Sequence, residues 1–333
     1  MPLPKVLKSQ GFTLALIGAV IAAILLPEPG ARGGLLKSEV TSKVLVAITF
    51  LIQGLSLPTQ QILKSAAKAK LHLYCLICNF ALAPLLMLGL LAIVGGSLLP
   101  GIHTGAIYLA VLPATISSAI IMTGNADGDS SSALFATTAS NVLGVFMTPI
   151  LCSLLLQTSS SGEIGSLGPL IAKLSQLVLL PLAAGQILRR FIAEWASRSK
   201  PLFKKVSNGA IVFIVYAAFC NSVLNGIWEQ VNLSTILLTL LIVIAFLVVF
   251  SCAVWFASPL ATKEVPERIA AFFCGSQKTL AAGVPMASVI FASQGTESAQ
   301  TGLILLPIMC YHPLQLLLAG FLTPVLSKKA AAQ

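Results

Sequence analysis

Apolar runs separated by short polar loops make up almost the whole chain. Ten can be read, at roughly 11–27, 41–57, 71–96, 104–124, 130–156, 167–189, 207–227, 233–258, 268–292 and 299–327. A helix needs about 20 mostly apolar residues to cross a bilayer. The first two runs are short, and the others reach that length. The pattern predicts ten membrane helices and no soluble domain. Two tracts are polar. "SSSGEIGS" (159–166) reads as a flexible loop, and "RRFIAEWASRSKPLFKK" (189–205) as a basic segment holding an interfacial helix.

The fourth and ninth runs are too interrupted for a clean helix: "VLPATISSAIIMTGNADGDSSS" and "AAFFCGSQKTLAAGVPM". The runs that follow them end alike. "FMTPIL" (146–151) closes the fifth and "FLTPVL" (321–326) the tenth, at an offset of just over half the 333 residues. Five runs and then five runs, an odd number in each half, place the halves in opposite orientations. That is the pattern of inverted repeats, here 1–157 and 166–333, and paired broken helices at matching places point to a transporter's binding site. The competing reading is two unrelated Thr-Pro helix ends.

Composition narrows the class. The chain is 57% hydrophobic and 9% charged, against about 25% charged for a soluble domain. The net charge of +10 implies no nucleic-acid partner, because the basic residues sit in short loops, where they act as topology signals. With ten spans and a cytoplasmic N-terminus, fifteen lysines and arginines fall on the cytoplasmic side. Three lie opposite (Arg32, Lys37 and Lys43), and Lys173 and Lys278 lie inside apolar runs. Both termini are therefore expected in the cytoplasm, in a multi-pass protein of the plasma or inner membrane. The N-terminal "KVLKSQGFTLALIGAVIAAILLP" has a signal peptide's basic flank, but its apolar run of about 16 residues is long for one, and it reads as a retained helix. The seven cysteines lie in or beside apolar runs. Cys75 and Cys78 have redox spacing without a second pair or a nearby His, and read as buried thiols.

The candidate chemistry lies in the broken runs. Pro113 interrupts the fourth, beside the hydroxyls of Thr115, Ser117 and Ser118. Either the backbone unwinds there, which is tolerated at membrane depth only in protein or beside a wet cavity, or the hydroxyls bond back to a kinked helix. The ninth holds Gly275, Ser276, Gln277, Lys278 and Thr279. Lys278 lies ten residues past Arg268, about 15 Å of helix and so near mid-membrane. A charge there costs about 2.5–3.5 kcal/mol on the insertion scale. It snorkels, bonds helix-end carbonyls, or faces a polar cavity as a functional cation. Asp127 and Asp129 suit a turn and a helix N-cap. Tyr311-His312-Pro313 reads as a break in the tenth run, with His312 bonded to a neighbouring helix or on a proton path. Asn79 and Asn141 read as amides that join helices. No hydrolase triad, P-loop, HExxH or EF-hand spacing is present, and no polar segment is long enough for a nucleotide-binding domain.

Several stretches resemble the bile acid:sodium symporter superfamily, in the branch of solute carrier family 10 member 7. They are "FLIQGLSL" (50–57), "KLHLYCLICNFALAP" (70–84), "LPATISSAIIMTGNADGDSSSALFATTASNVLGVFMTP" (112–149), "LPLAAGQILRRFI" (180–192), "FFCGSQKTLAAGVPM" (272–286) and "YHPLQLLLAGFLTPVL" (311–326). The resemblance implies an all-α polytopic membrane protein of ten transmembrane helices in two inverted five-helix repeats. A core domain would hold crossed, unwound fourth and ninth helices, beside a panel domain. It also implies two sodium sites at the crossover. For one, Ser118 and Thr137 match the family's hydroxyls, while Ala119 and Phe273 stand where it has an asparagine and a glutamate. For the other, Asn79, Cys274–Ser276 and Gln277 match, again without the glutamate. Lys278 follows directly, and its ammonium is read as standing in for a cation.

The function expected is a secondary transporter working by alternating access. Its partners are the bilayer and a small-molecule substrate, which the resemblance makes an organic anion. The coupling ion stays open between sodium and a proton, and no other cofactor or confident metal site is implied. The candidate binding residues are Asn79, Thr115, Ser117, Ser118, Thr137, Asn141, Ser276, Gln277, Lys278, Thr279 and His312. The alternative is a membrane regulator of calcium entry or of secretory-pathway homeostasis.

Overall fold

The computed structural model describes residues 11–56, 68–157, 175–291 and 297–331. The tract 159–166, the start of the sixth run and Lys173 lie outside the described residues. Helix falls on each of the ten runs. The elements are α1 (Gly11–Leu25), α2 (Ser38–Ser56), α3 (Ala69–Val94), α4 (Pro100–Val111), α5 (Ser117–Asn125), α6 (Ser130–Gln157), α7 (Leu180–Arg198), α8 (Lys200–Leu224), α9 (Leu233–Ala257), α10 (Val265–Ser276), α11 (Leu280–Ile290) and α12 (Glu297–Ala330). Among the described residues, seven helices are long and apolar enough to cross a membrane. Their outer faces carry large apolar side chains, such as Ile93 and Phe321, at 80% and 75% exposure. Such a surface needs lipid around it.

Proline sets many helix ends. It stands in the first turn of α4, α7, α8 and α10, where its missing N–H is no loss. The expected break at Tyr311–Pro313 does not occur: α12 runs unbroken through Pro307, Pro313 and Pro324. In a membrane helix, side chains and neighbours satisfy the carbonyls that an internal proline frees. Beside Pro324, Thr323 Oγ1 donates to the Ala319 carbonyl at 2.7 Å. The basic stretch 189–205 is helical, kinked at Ile192.

The chain forms two compact units. The first is Met1–Leu57, Gly168–Asn232 and Val284–Leu305; the second is Pro58–Leu167, Leu233–Gly283 and Leu306–Gln333. Each draws on both halves of the sequence. In the first unit α2 crosses α7 at Gly54 and Gly185, above a small core of Ile52, Leu55, Ala196 and Phe203. The second holds both broken runs.

One end of the second unit is tied by charge. Lys68, just before α3, meets Asp129 and Glu267 at 2.6 Å each. Asp129 also caps α6: its Oδ1 accepts the amides of Ser131 and Ser132 at 3.0 Å. Burial alone would raise the Asp129 carboxyl, but the hydrogen bonds from Lys68 and Ser132 outweigh it and hold it down at about 2. Glu267 is lowered too, against its burial, by Lys68 and Thr262. A carboxylate depressed on folding stabilises the fold above its unfolded value, and that gain fades as pH falls through the folded one. Asp129→Ala is expected to cost about 1–2 kcal/mol at neutral pH, mostly as a lost cap. The melting gap from wild type should hold down to about pH 4 and close between the ordinary value of 3.8 and about 2. An unchanged gap at pH 2 would contradict this.

Candidate functional site at two broken helices

The fourth run breaks because Pro113 cannot donate and forces the residue before it out of helical geometry. Leu112 accordingly sits at φ −69°, ψ 148°. The helix stops at Val111 and resumes at Ser117. A helix end leaves its last carbonyls without intrahelical partners, and inside a membrane each must find another. All five from Ala110 to Ala114 do. The Ala110 and Leu112 carbonyls accept from Lys278 Nζ, each at 2.8 Å. Val111 accepts from Thr148 Oγ1 at 2.9 Å, Pro113 from the Thr279 amide at 3.0 Å, and Ala114 from Asn141 Nδ2 at 2.6 Å. The Ala114 amide donates to Ser140 Oγ at 3.0 Å.

The ninth run breaks at Gln277, which is extended at φ −93°, ψ 135°. Helix resumes at Leu280. The two unwound segments meet as an isolated antiparallel bridge between Ala114 and Lys278. The Gln315 side chain closes the other edge. Its Oε1 accepts the Lys278 amide, and its Nε2 donates to the Lys278 carbonyl, both at 2.8 Å.

Lys278 is fully buried. An ammonium has three N–H donors, and here three backbone carbonyls receive them. The third is Asn79, at 2.9 Å, in the π-helical segment Cys78–Leu82 of α3. The Phe250 ring lies 5.4 Å from Nζ, within cation–π range. None of the ion pairs among the described residues involves Lys278. Its charge is met by carbonyl dipoles. Of the readings open for this lysine, snorkelling is excluded.

The other candidates divide. Asn79 Nδ2 donates to the carbonyls of Cys75 (2.8 Å) and Cys274 (2.9 Å), so it joins α3 to α10. Its Oδ1 is buried and unpartnered. Ser118 Oγ bonds Thr115 Oγ1 at 3.1 Å and Gln277 Oε1 at 3.0 Å, linking both breaks. Gln277 Nε2 is buried and unpartnered. Asn141 also donates to Thr137 O at 2.8 Å. Thr137 bonds back to the Ala133 carbonyl and Ser276 to Phe272, each at 2.7 Å. Thr279 Oγ1 accepts the Ala282 amide at 3.3 Å, capping α11. His312 Nδ1 lies 3.0 Å from Gln315 Nε2. Ser117 is exposed and stands apart from the cluster. Ala119 and Phe273 are fully buried.

Five polar participants were not among the sequence candidates, and Thr148, on the Val111 carbonyl, is one. Gln315 and Ser140 hold the unwound segments. Tyr311 donates to the Ser276 carbonyl at 2.8 Å and Tyr108 to Gly283 at 2.6 Å. Gln315 carries the same signal as Asn79, a lone amide in an apolar helix, and was readable from it.

Two helices broken at matched places and sealed by polar side chains suit a transport protein, and sequence comparison agrees. The model of the SBF-like CPA transporter family matches residues 10–328. The chain belongs to that family. The resemblance to bile acid:sodium symporters is borne out, and with it the class of activity: a membrane transporter of symporter type, not an enzyme. A putative symporter of Escherichia coli is 33% identical over 320 residues, covering 93% of this chain and 91% of the relative. Sodium/bile acid cotransporter 7 of Rattus norvegicus is 33% identical over 333 residues, covering 98% and 95%. An uncharacterized protein of Pseudomonas aeruginosa is 35% identical over 316 residues, covering 94% and 91%.

Proposed function

We propose that this transporter moves a small organic anion by alternating access, without sodium, and that the Lys278 ammonium takes the place of a bound cation. The observation that carries the reading is the ammonium on three helix-break carbonyls. Such oxygens suit a small cation, and here a tethered one has them. A second unit charge 4 Å away would be repelled by about 4 kcal/mol at an effective dielectric of 20. The N-terminus of α5, the positive end of a half-helix, has no side-chain cap and suits an anionic group.

The reading includes ten spans in two inverted repeats, 1–157 and 166–333, with both termini cytoplasmic. It is supported by the charge split and by compact units that each mix the two halves. Reconstitution into liposomes tests it, with a bile acid as first substrate because the rat relative's name carries one. Uptake should proceed equally when N-methylglucamine replaces sodium, and reporters fused at Gln157 and near Lys200 should lie on opposite sides. Sodium-dependent uptake would overturn the coupling, and reporters on one side the topology. A protein that carries no organic anion at all would fit a membrane regulator instead.

A further inference from the structure

We propose that the first compact unit holds a second binding site, for an organic oxyanion such as a carboxylate, at the N-terminal end of α2. A cavity of about 220 Å³ lies there, room for about seven waters at their liquid volume. All of its described lining belongs to the first unit. The floor is apolar, with Ile214, Ala217, Ala218 and Val289 buried. Arg32 and Lys43 line the exposed mouth.

The lining also includes a buried hydroxyl. Ser38 is 4% exposed, and its Oγ has no hydrogen-bond partner. A buried hydroxyl left unpaired is unfavourable, and a turn about χ1 would let it donate to an entering oxygen. Ser38 is the first residue of the 19-residue α2, so the positive end of that helix faces the same space. One carboxylate, Glu39, also lines the cavity, but its Oε1 accepts the Gly33 amide at 2.7 Å. The lining thus carries two cations and one carboxylate. The Arg32 amide donates to Asn221 Oδ1 at 2.9 Å, which anchors the loop that carries the guanidinium.

The charge pattern of the sequence bears on the same place. On the topology proposed above, only three basic residues lie opposite the cytoplasm, and two of them, Arg32 and Lys43, line this cavity. Cations on that side run against the general bias, so their clustering points to local use. An aromatic or aliphatic carboxylate fits: its apolar body reaches the floor, and its oxygens meet Arg32, Lys43 and Ser38.

The full chain in phosphatidylcholine nanodiscs, titrated calorimetrically with benzoate, tests the proposal. Benzoate should bind, and uncharged benzamide of nearly the same shape should not. Arg32→Gln and Lys43→Gln should each weaken benzoate about tenfold, the scale of one charge-assisted hydrogen bond. Ser38→Ala should weaken it less, and Arg32→Lys should retain part. Both mouth side chains are exposed, so the variants should melt like wild type without ligand. In the same phosphatidylcholine nanodiscs, weaker benzoate binding in the presence of soluble glycerol phosphate would identify a lipid headgroup as a competing occupant, and unchanged binding would leave the site to organic carboxylates. No benzoate binding, equal binding of benzamide, or benzoate affinity surviving the Arg32→Gln/Lys43→Gln double variant would overturn the proposal. Binding is read without transport, so a chain inactive in uptake still decides it.

Discussion

Lys278→Met is expected to abolish uptake while leaving a folded protein. Two large terms oppose each other. Losing the ammonium strands three buried carbonyls, of Asn79, Ala110 and Leu112, at about 1–3 kcal/mol each. It also removes a charge whose burial costs several kcal/mol. The terms are of similar size, so the net change in melting temperature should be modest. The effect on function has no such offset. The lysine side chain ties the ninth run to the end of α4 and to α3, and methionine donates to none of the three carbonyls. Lys278→Ala gives the sharper test, because the shorter side chain leaves room for a free ammonium ion with the same donors. Ammonium should raise the melting temperature of Lys278→Ala and restore part of its uptake, but should do neither for Lys278→Met, whose side chain fills the space. Full uptake by Lys278→Met would show that the charge only holds structure. No response of Lys278→Ala to ammonium would show that the carbonyls do not form a cation site.

The breaks themselves were legible, because Pro113 and the polar run Gly275–Thr279 violate local helix rules in otherwise apolar stretches. That a charge at the depth of Lys278 is costly also followed, with snorkelling, helix-end carbonyls and a polar cavity open as its remedies. Helix-end carbonyls were among the partners open to it, and the neighbourhood of Asn79 holds one of them, but the partners as a full set did not follow. They are backbone carbonyls, which no sequence letter marks, freed by a proline in one place and by a π-helical segment in another. The neighbours Ser117 and Ser118 show a second limit. Successive positions on a helix face about 100° apart, so only one of them meets Gln277, and sequence alone does not choose it. Pro313 shows a third. Proline removes one donor, but whether a helix survives depends on what satisfies the freed carbonyl. At Pro113 five carbonyls find partners on other segments and the chain unwinds, whereas α12 continues through Pro313.

Replacing Gly54 or Gly185 is expected to be the most damaging change outside the broken helices. Both lie in stretches that carried the family resemblance, "FLIQGLSL" and "LPLAAGQILRRFI", yet nothing in either marks a crossing. A Cβ on Gly54 would come 2.2 Å from the Leu182 carbonyl oxygen, and one on Gly185 would come 2.3 Å from that of Leu51. These are backbone atoms of the facing helix, so no rotamer change relieves the clash, and α2 and α7 must move apart. Small residues at such crossings let membrane helices pack through their backbones. The close approach also lets Gln186 reach the Gly54 carbonyl and Arg189 that of Leu55. Separation would lose those bonds along with the contact. Gly54→Ala is expected to cost about 1–3 kcal/mol, the usual range for overpacking, and Gly54→Leu should prevent stable folding. Gly18→Ala serves as the control, since a Cβ there meets nothing within 4 Å, and should stay within about 0.5 kcal/mol of wild type. The two crossing glycines should not act independently. Once one Cβ has forced the helices apart, the second finds space already made, so Gly54→Ala/Gly185→Ala should cost clearly less than the two single effects added. Thermal melts in detergent measure all of these, and additive single effects, or a Gly54→Ala variant as stable as Gly18→Ala, would mean that the helices do not pack backbone to backbone.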